Sequence, residues 1–346
     1  MLKVLVTGGC GFLGSHACEF YAKQGDKVVA FDNLTKHELK RTGYDTEAAR
    51  THILNFVKTL GAETINGDIR NKAELLAAAK NCDYIIHTAA QPAMTISIED
   101  PELDLMTNVV GTFNVLEAAR KYDIPVVVCS SIHVYGNKIN ETLKEGDTRF
   151  IREPPTIDEN NPIMEGAITP LHVSKRAVEL YTQTFIDSYG LKAAVFRLTG
   201  MYGPRQFGSE DHGWVANFTI KTLLRKTMTV FGTGKQVRDI LYATDAVKAF
   251  DAFYNTQAPG LYNIGGGTKN IISLMECIEL IEKVTGEKAE TEYAPKRMGD
   301  LWYFVSDITK AKEKLKWQPE ISNETGIKEL AEWVKKNIKI FQGKVS

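Results

Sequence analysis

Cysteine is scarce and odd in number. The five residues Cys10, Cys18, Cys82, Cys129 and Cys277 are scattered and lie mostly inside apolar runs. That distribution argues against a disulfide frame or zinc spacing and leaves reduced core thiols, with no metal expected. Charge of one sign is lacking too: 42 Lys and Arg against 43 Asp and Glu give a formal net charge of −1, and the sequence pI is ≈ 6.7. Without a broad basic field, neither nucleic acid nor an anionic membrane is expected as the main partner, and any bound anion must be held locally. No apolar run approaches the ~20 residues of a membrane-spanning helix. There is no internal repeat, low-complexity segment or clean linker, and Met1-Leu2-Lys3 runs directly into a strand pattern, so a cytoplasmic protein is expected.

What is present is a long chain of ordinary globular composition, 346 residues with 43% hydrophobic and 25% charged. It suits one large α/β unit with a smaller lobe. Strand-length apolar runs recur at Lys3–Thr7, Lys27–Phe31, Glu63–Asn66, Tyr84–His87, Val126–Ser130 and Lys192–Leu198. They alternate with helical patterns at Gly14–Gln24, Lys72–Lys80, Leu103–Tyr122 and Leu171–Tyr189. Such alternation predicts βαβ crossovers and a Rossmann-type, doubly wound parallel sheet, with ligands at the carboxyl ends of the strands. Glu141–Thr169, rich in proline and acidic residues, reads as a long surface loop over the mouth of the site.

The N-terminus reads Val4-Leu5-Val6-Thr7-Gly8-Gly9-Cys10-Gly11-Phe12-Leu13-Gly14, an apolar strand entering a glycine turn and then a helix. In that context Gly8 permits a tight turn, Gly11 lets a pyrophosphate approach the chain, and Gly14 lets helix and strand pack closely. Phosphate charge would rest on the amides at the helix start, around Phe12 and Leu13. Phe31-Asp32-Asn33 ends the second strand. Asp32 is placed to accept the adenosine ribose hydroxyls and would repel a 2′-phosphate, so NAD is expected rather than NADP. Asp68 and Ile69 are expected at the adenine edge, and Ala89, Ala90 and Gln91 at a close backbone passage along the dinucleotide.

Taken together, these segments resemble the extended short-chain dehydrogenase/reductases, specifically the NAD-dependent nucleotide-sugar epimerase and dehydratase group. The resemblance spans nearly the whole chain, as far as Leu315-Lys316-Trp317-Gln318-Pro319 and the Ile327–Lys336 helix. Within the group the details are most similar to the CDP-paratose (CDP-tyvelose) 2-epimerases. Four segments carry this: Gln91-Pro92-Ala93-Met94-Thr95-Ile96-Ser97, Met201-Tyr202-Gly203-Pro204-Arg205-Gln206-Phe207, Gly213-Trp214-Val215 and Gly234-Lys235-Gln236-Val237-Arg238-Asp239.

The resemblance implies a discontinuous division, with residues 1–200 and 237–262 holding NAD, the Val237–Tyr262 stretch returning to the sheet, and residues 201–236 and 263–346 forming a smaller C-terminal nucleotide-sugar lobe. It assigns Arg238 and Arg297 to the substrate diphosphate, a task suited to guanidinium. It places Met94, Arg205, Gln206 and Trp214 at the nucleotide or sugar, and counts Asn108 with the cofactor site, where its family counterpart keeps the active-site helix in place. It also implies a homodimer formed by the Leu103–Tyr122 and Leu171–Tyr189 helices pairing into a four-helix bundle.

At the reaction centre, Cys129-Ser130-Ser131-Ile132-His133-Val134-Tyr135-Gly136 matches the family's Ser-x-x-Val-Tyr-Gly segment. Ser131 is therefore expected to hydrogen-bond the reacting sugar oxygen. Lys175, in Thr169-Pro170-Leu171-His172-Val173-Ser174-Lys175, matches the lysine of the family's Tyr-x-x-x-Lys helix, which by the resemblance binds the nicotinamide ribose of the cofactor and biases nearby pKa values. The tyrosine is missing: Leu171 occupies its slot. In the family that phenol takes a hydroxyl proton while NAD accepts hydride from the same carbon, and hydride then returns to the opposite face.

Three groups are candidates for the absent role. His172 is adjacent but points roughly 100° away on a helix, His133 follows Ser131 by two residues, and Lys175 would act as an amine with a depressed pKa. Ile132 and His133 stand where related 4,6-dehydratases generally carry an Asp-Glu pair, which argues against dehydration. The expected activity is epimerisation of a nucleotide-diphosphate sugar, at C2 by the resemblance. The alternatives are a 4-epimerase or other sugar oxidoreductase, and a protein that binds both ligands with little turnover.

Overall fold

A computed structural model describes residues 1–35, 42–297 and 299–343. Seven short runs form a parallel sheet: β1 (Lys3–Thr7), β2 (Lys27–Asp32), β3 (Glu63–Asn66), β4 (Tyr84–His87), β5 (Val126–Ser131), β6 (Ala193–Leu198) and β7 (Gly260–Ile264). Their order is β7-β6-β5-β4-β1-β2-β3. Val4 lies opposite Val28 on one side and Tyr84 on the other. The winding reverses between β1 and β4, and a crevice opens there at the strands' carboxyl ends.

Alternation along each strand feeds two cores. Val4 and Val6 face a layer containing Leu13, Tyr21, Ala246 and Phe250, whereas Leu5 faces Leu75, Leu116, Val178 and Phe185. Helices thus cover both sheet faces, which is why β4 is buried along its whole length and reads as an unbroken apolar run. The Pro170–Tyr189 helix starts with proline in its first turn and ends at Gly190 in the left-handed region, φ 65°, a sharp start and stop written in sequence. No disulfide links the cysteines among the described residues.

Three features depart from the sequence reading. The expected Leu103–Tyr122 helix is interrupted: a helical turn at Pro101–Asp104 passes into a wide π turn at Leu105–Val110 before the Gly111–Tyr122 helix. The cause sits at Asn108, whose amide reaches out of the helix to Gln91 and Ser174. Val237–Asp239 does not return to the main sheet but lies between Ile271–Ser273 and Tyr303–Phe304 in a small three-stranded sheet. The main sheet is rejoined at Gly260. The 141–169 stretch packs along the C-terminal segments, because its apolar residues find cover there: Phe150 stacks on Trp302 with ring centroids 5.4 Å apart, and buried Ile157 donates its N–H to the Val305 carbonyl at 2.9 Å. Among the described residues, no helix is long and apolar enough to cross a membrane.

Candidate active site

A cavity of about 670 Å³ opens at the carboxyl ends of β1, β2, β4 and β5 and continues under the C-terminal segments. Gly8, Gly11, Phe12, Leu13 and Gly14 form one wall. Gly8 has φ +70°, and a Cβ there would lie 2.7 Å from the Ala89 nitrogen. A Cβ on Gly14 would lie 2.0 Å from the Gly8 carbonyl oxygen, so the turn and helix touch backbone to backbone. Gly11 caps the Phe12–Lys23 helix without any side-chain cap, leaving its first amides to an anion. Asp32 is held at the wall by the amides of Cys10 (2.9 Å) and Leu34 (2.7 Å), one to each carboxylate oxygen. Each oxygen keeps acceptor capacity for a ribose hydroxyl. A side-chain-free phosphate cradle with a fixed carboxylate beyond it fits NAD.

The adenine-edge expectation needs a correction. Asp68 turns its carboxylate to Arg70 (2.9 and 2.7 Å) and to the Asn33 amide (3.0 Å), and Arg70 holds its pKa down at about 2. The residues of that loop that line the cavity are Gly67, Ile69 and Arg70, with Asn33 beside them. Ala89, Ala90 and Gln91 also line it. Asn108 does not: it stands behind, its Oδ1 accepting the Gln91 N–H at 2.9 Å and its amide donating to the Gln91 carbonyl, Asp104 and Ser174.

Where β5 ends, Ser131, His133, Leu171 and Lys175 converge on the cavity wall. Ser131 Oγ accepts the His133 N–H at 3.2 Å. Lys175 Nζ donates to the Cys129 carbonyl at 3.1 Å. Burial depresses the lysine pKa, against the opposing pull of Cys129, Asp104 and Glu179. Leu171 is 2% exposed, and its N–H donates to Ser97 Oγ at 3.2 Å. His133 is pushed down to about 3 by burial and by the neighbouring His172, Arg238, Arg297 and His212, so its imidazole is neutral.

His172 departs from the expectation that it could enter the vacant slot. It is fully buried and does not line the cavity. Its Nδ1 is tied to the start of its own helix, accepting the Thr169 N–H (3.2 Å) and lying 2.8 Å from Thr169 Oγ1.

On the far side, Arg238 donates to the carbonyls of Val237 (2.8 Å) and Leu301, and its pKa falls to about 10, chiefly through burial. Arg297 donates to Asp300 (3.1 Å) and the Glu210 carbonyl (2.9 Å) and lies over the Phe231 ring. Both arginines line the cavity, as do Met94, Gln206 and Trp214. Gln206 donates to the Met201 carbonyl at 3.0 Å, which fixes its amide and leaves Oε1 buried without a partner among the described residues.

Arg205 is a second correction, because it is absent from the wall. Its guanidinium turns to the Phe12–Lys23 helix, donating to Ser15 Oγ (3.0 Å), His16 Nδ1 (2.8 Å) and Glu19 (2.7 Å) and stacking over Phe56. None of the 141–169 loop lines the cavity, because its apolar residues are spent against the C-terminal segments. Sequence reasoning missed Phe231 and Gln236, which do line it. The available signal was a strand ending in an aromatic followed by Gly232 at φ +79°.

Comparison with known proteins follows the same lines. The NAD dependent epimerase/dehydratase family model matches residues 4–265. The CDP-paratose 2-epimerase of Salmonella typhi is 35% identical, over 96% of this chain and 99% of that protein. The UDP-glucuronate 4-epimerase of Thermodesulfobacterium geofontis (strain OPF15) is 30% identical, over 98% of each chain. The crystal structure of UDP-glucuronic acid 4-epimerase from Bacillus cereus in complex with UDP-glucuronic acid and NAD has a TM-score of 0.81 to this chain. It is 25% identical and covers 97% of this chain and 100% of that one.

Proposed function

The chain belongs to the NAD-dependent epimerase/dehydratase family, and from that premise we propose that it inverts C2 of the sugar in a nucleotide-diphosphate sugar, as a CDP-paratose 2-epimerase would. The observation that carries this reading is the single cavity joining the glycine turn and Asp32 to Arg238 and Arg297, with Ser131, His133 and Lys175 in between. In this reading residues 1–200 with 237–262 hold the cofactor and residues 201–236 with 263–346 hold the nucleotide sugar.

When bound, NAD supplies the hydride acceptor and donor for a transient oxidation of the sugar to a keto form. The chain does the rest. The Phe12 and Leu13 amides hold the pyrophosphate, and Asp32 holds the ribose diol. Arg238 and Arg297 neutralise the substrate diphosphate, which fixes the nucleotide while the sugar turns. Ser131 hydrogen-bonds the reacting oxygen, and a neutral nitrogen on the same wall moves the proton. Met94, Ile132 and Leu171 give the sugar an apolar surface against which a keto intermediate can present either face.

The absence of a phenol at Leu171 favours a second reading, in which the protein binds both ligands with little turnover. Proton NMR with NAD and a panel of CDP-, GDP-, UDP- and dTDP-sugars separates the two. A new anomeric signal with C2 inverted supports the proposal, inversion at C4 moves it to the 4-epimerases, and broadening without product supports the binding reading. The proposal includes a homodimer, because Leu105, Val173, Leu180 and Tyr181 stand 44–54% exposed on the two helices expected to pair. It also includes a cytoplasmic location.

A further inference from the structure

His133 and His172 pack edge to face, with ring centroids 5.6 Å apart. Each carries a buried nitrogen with no partner among the described residues, Nδ1 on His133 and Nε2 on His172. The tautomer of His172 can be read from its surroundings. Its Nδ1 accepts the Thr169 backbone N–H, so in the neutral ring the proton is on Nε2. That leaves a buried N–H without an acceptor, a costly arrangement, beside a ring whose buried nitrogen needs a partner. Each ring supplies what the other lacks, through a small ring rotation or one bridging water.

We propose that His172 is a positioning residue that donates from Nε2 to His133 Nδ1, so that His133 keeps its proton on Nε2 and presents a donor to the substrate, leaving Lys175 as the base that replaces the missing tyrosine. The inference rests on the epimerase reading above. His133 lines the cavity while its Nδ1 is buried, so Nε2 is the nitrogen it can offer. A nitrogen that already carries a proton cannot take another from a sugar hydroxyl; it stabilises the oxygen as charge develops there. His172 does not reach the cavity. Of the three candidates that leaves Lys175, which lines the cavity and whose burial favours the uncharged amine that can take a proton.

The proton balance then closes on this chain. The sugar O–H bond would break and an N–H bond form at Lys175 Nζ as two electrons and a proton leave the carbon together as hydride, for which bound NAD would supply the acceptor. When they return to the other face, Lys175 gives the proton back to the oxygen. The groups that bear on these two residues are Asp104, Glu179 and Cys129 around Lys175, and His172, His212, Arg238 and Arg297 around His133.

The test begins with the unmodified protein. The ¹⁵N imidazole shifts of His133 should show Nδ1 unprotonated and Nε2 protonated, and His172→Phe should release a mixture of tautomers. A His133 proton on Nδ1 in the unmodified protein overturns the proposal. Activity supplies the second arm. His133→Gln, which keeps a donor near Nε2, should hold within about tenfold of the parent, while His133→Leu loses about 10²- to 10³-fold, and Lys175→Met and Lys175→Arg lose turnover altogether. Equal loss in His133→Gln and His133→Leu, or survival of Lys175→Met, overturns it. If the parent protein turns over none of the sugars, the epimerase reading and the base assignment fall together, whereas the tautomer measurement still decides the histidine pair.

Discussion

Glu179 sits one turn beyond Lys175 on the same helix and is 1% exposed. Its two carboxylate oxygens accept from Arg197 Nε and Nη2, both at 2.8 Å, and one of them also accepts Ser130 Oγ–H at 2.8 Å. The pair therefore ties the Pro170–Tyr189 helix to β5 and β6 directly behind Ser131. Arg197 has little else: its Nη1 has no partner among the described residues, and its guanidinium lies over the Tyr135 ring at 4.7 Å. Glu179→Ala strands a buried guanidinium, which costs about 3–5 kcal/mol. At a urea m-value of about 3 kcal/mol/M, the unfolding midpoint should fall by more than about 1 M. Replacing both partners with apolar residues, Glu179→Leu with Arg197→Met, removes the stranded charge and should be less damaging than either single change. Urea titrations of the four proteins give the coupling energy. A Glu179→Ala midpoint within error of the parent, or a double variant whose loss is the sum of the singles, would refute this view of the pair.

Three further outcomes are expected. Gly14→Ala drives a methyl against the Gly8 carbonyl, a backbone atom that cannot rotate away, so NAD affinity measured by calorimetry should drop at least tenfold; unchanged affinity contradicts the packed turn. Asp32, held in place by two amides, and a 2′-phosphate about 4 Å away repel by several kcal/mol at an effective dielectric near 20. NADP should thus bind about 100-fold or more weakly than NAD, and Asp32→Asn should narrow the gap. His16 and His87 are both pushed down to about 3 by burial, helped by Arg205 and Lys175 respectively. Folded pKa values below the unfolded 6.5 mean that the unfolded chain binds more protons below that pH. The stability these residues contribute is therefore complete above pH 6.5 and is lost as pH falls toward 3, by about 2 kcal/mol per histidine at pH 5. Thermal unfolding at pH 7 and pH 5 checks this, and a flat profile would contradict it.

The strands and the glycine turn could be read from the chain because their causes are local. β4 is an apolar run because both its faces are covered, and Gly8 and Gly14 are glycines because a Cβ would strike backbone. Ser131, Lys175, Arg238 and Arg297 could be placed at the cavity because each lies in a segment that resembles a family motif. Arg205 could not, since its partners Ser15, His16 and Glu19 are 186 to 190 positions away. His172 was obscured by a side-chain bond to Thr169 that turns it toward its own helix start. The π turn at Leu105–Val110 follows from contacts between Asn108 and two other segments, which no periodicity encodes. The 141–169 loop carries exposed-looking proline and acidic residues, and its few apolar ones decide where it lies.

The central claim is that inversion runs through oxidation and return of the same hydrogen, with the chain moving only the hydroxyl proton. Running the reaction in D2O with the nucleotide sugar that gives product tests it directly. The hydrogen on the inverted carbon leaves as hydride and comes back, so the product should carry protium there. One deuterium per turnover at that carbon would mean that the inverted C–H bond exchanges with solvent, and would contradict the account.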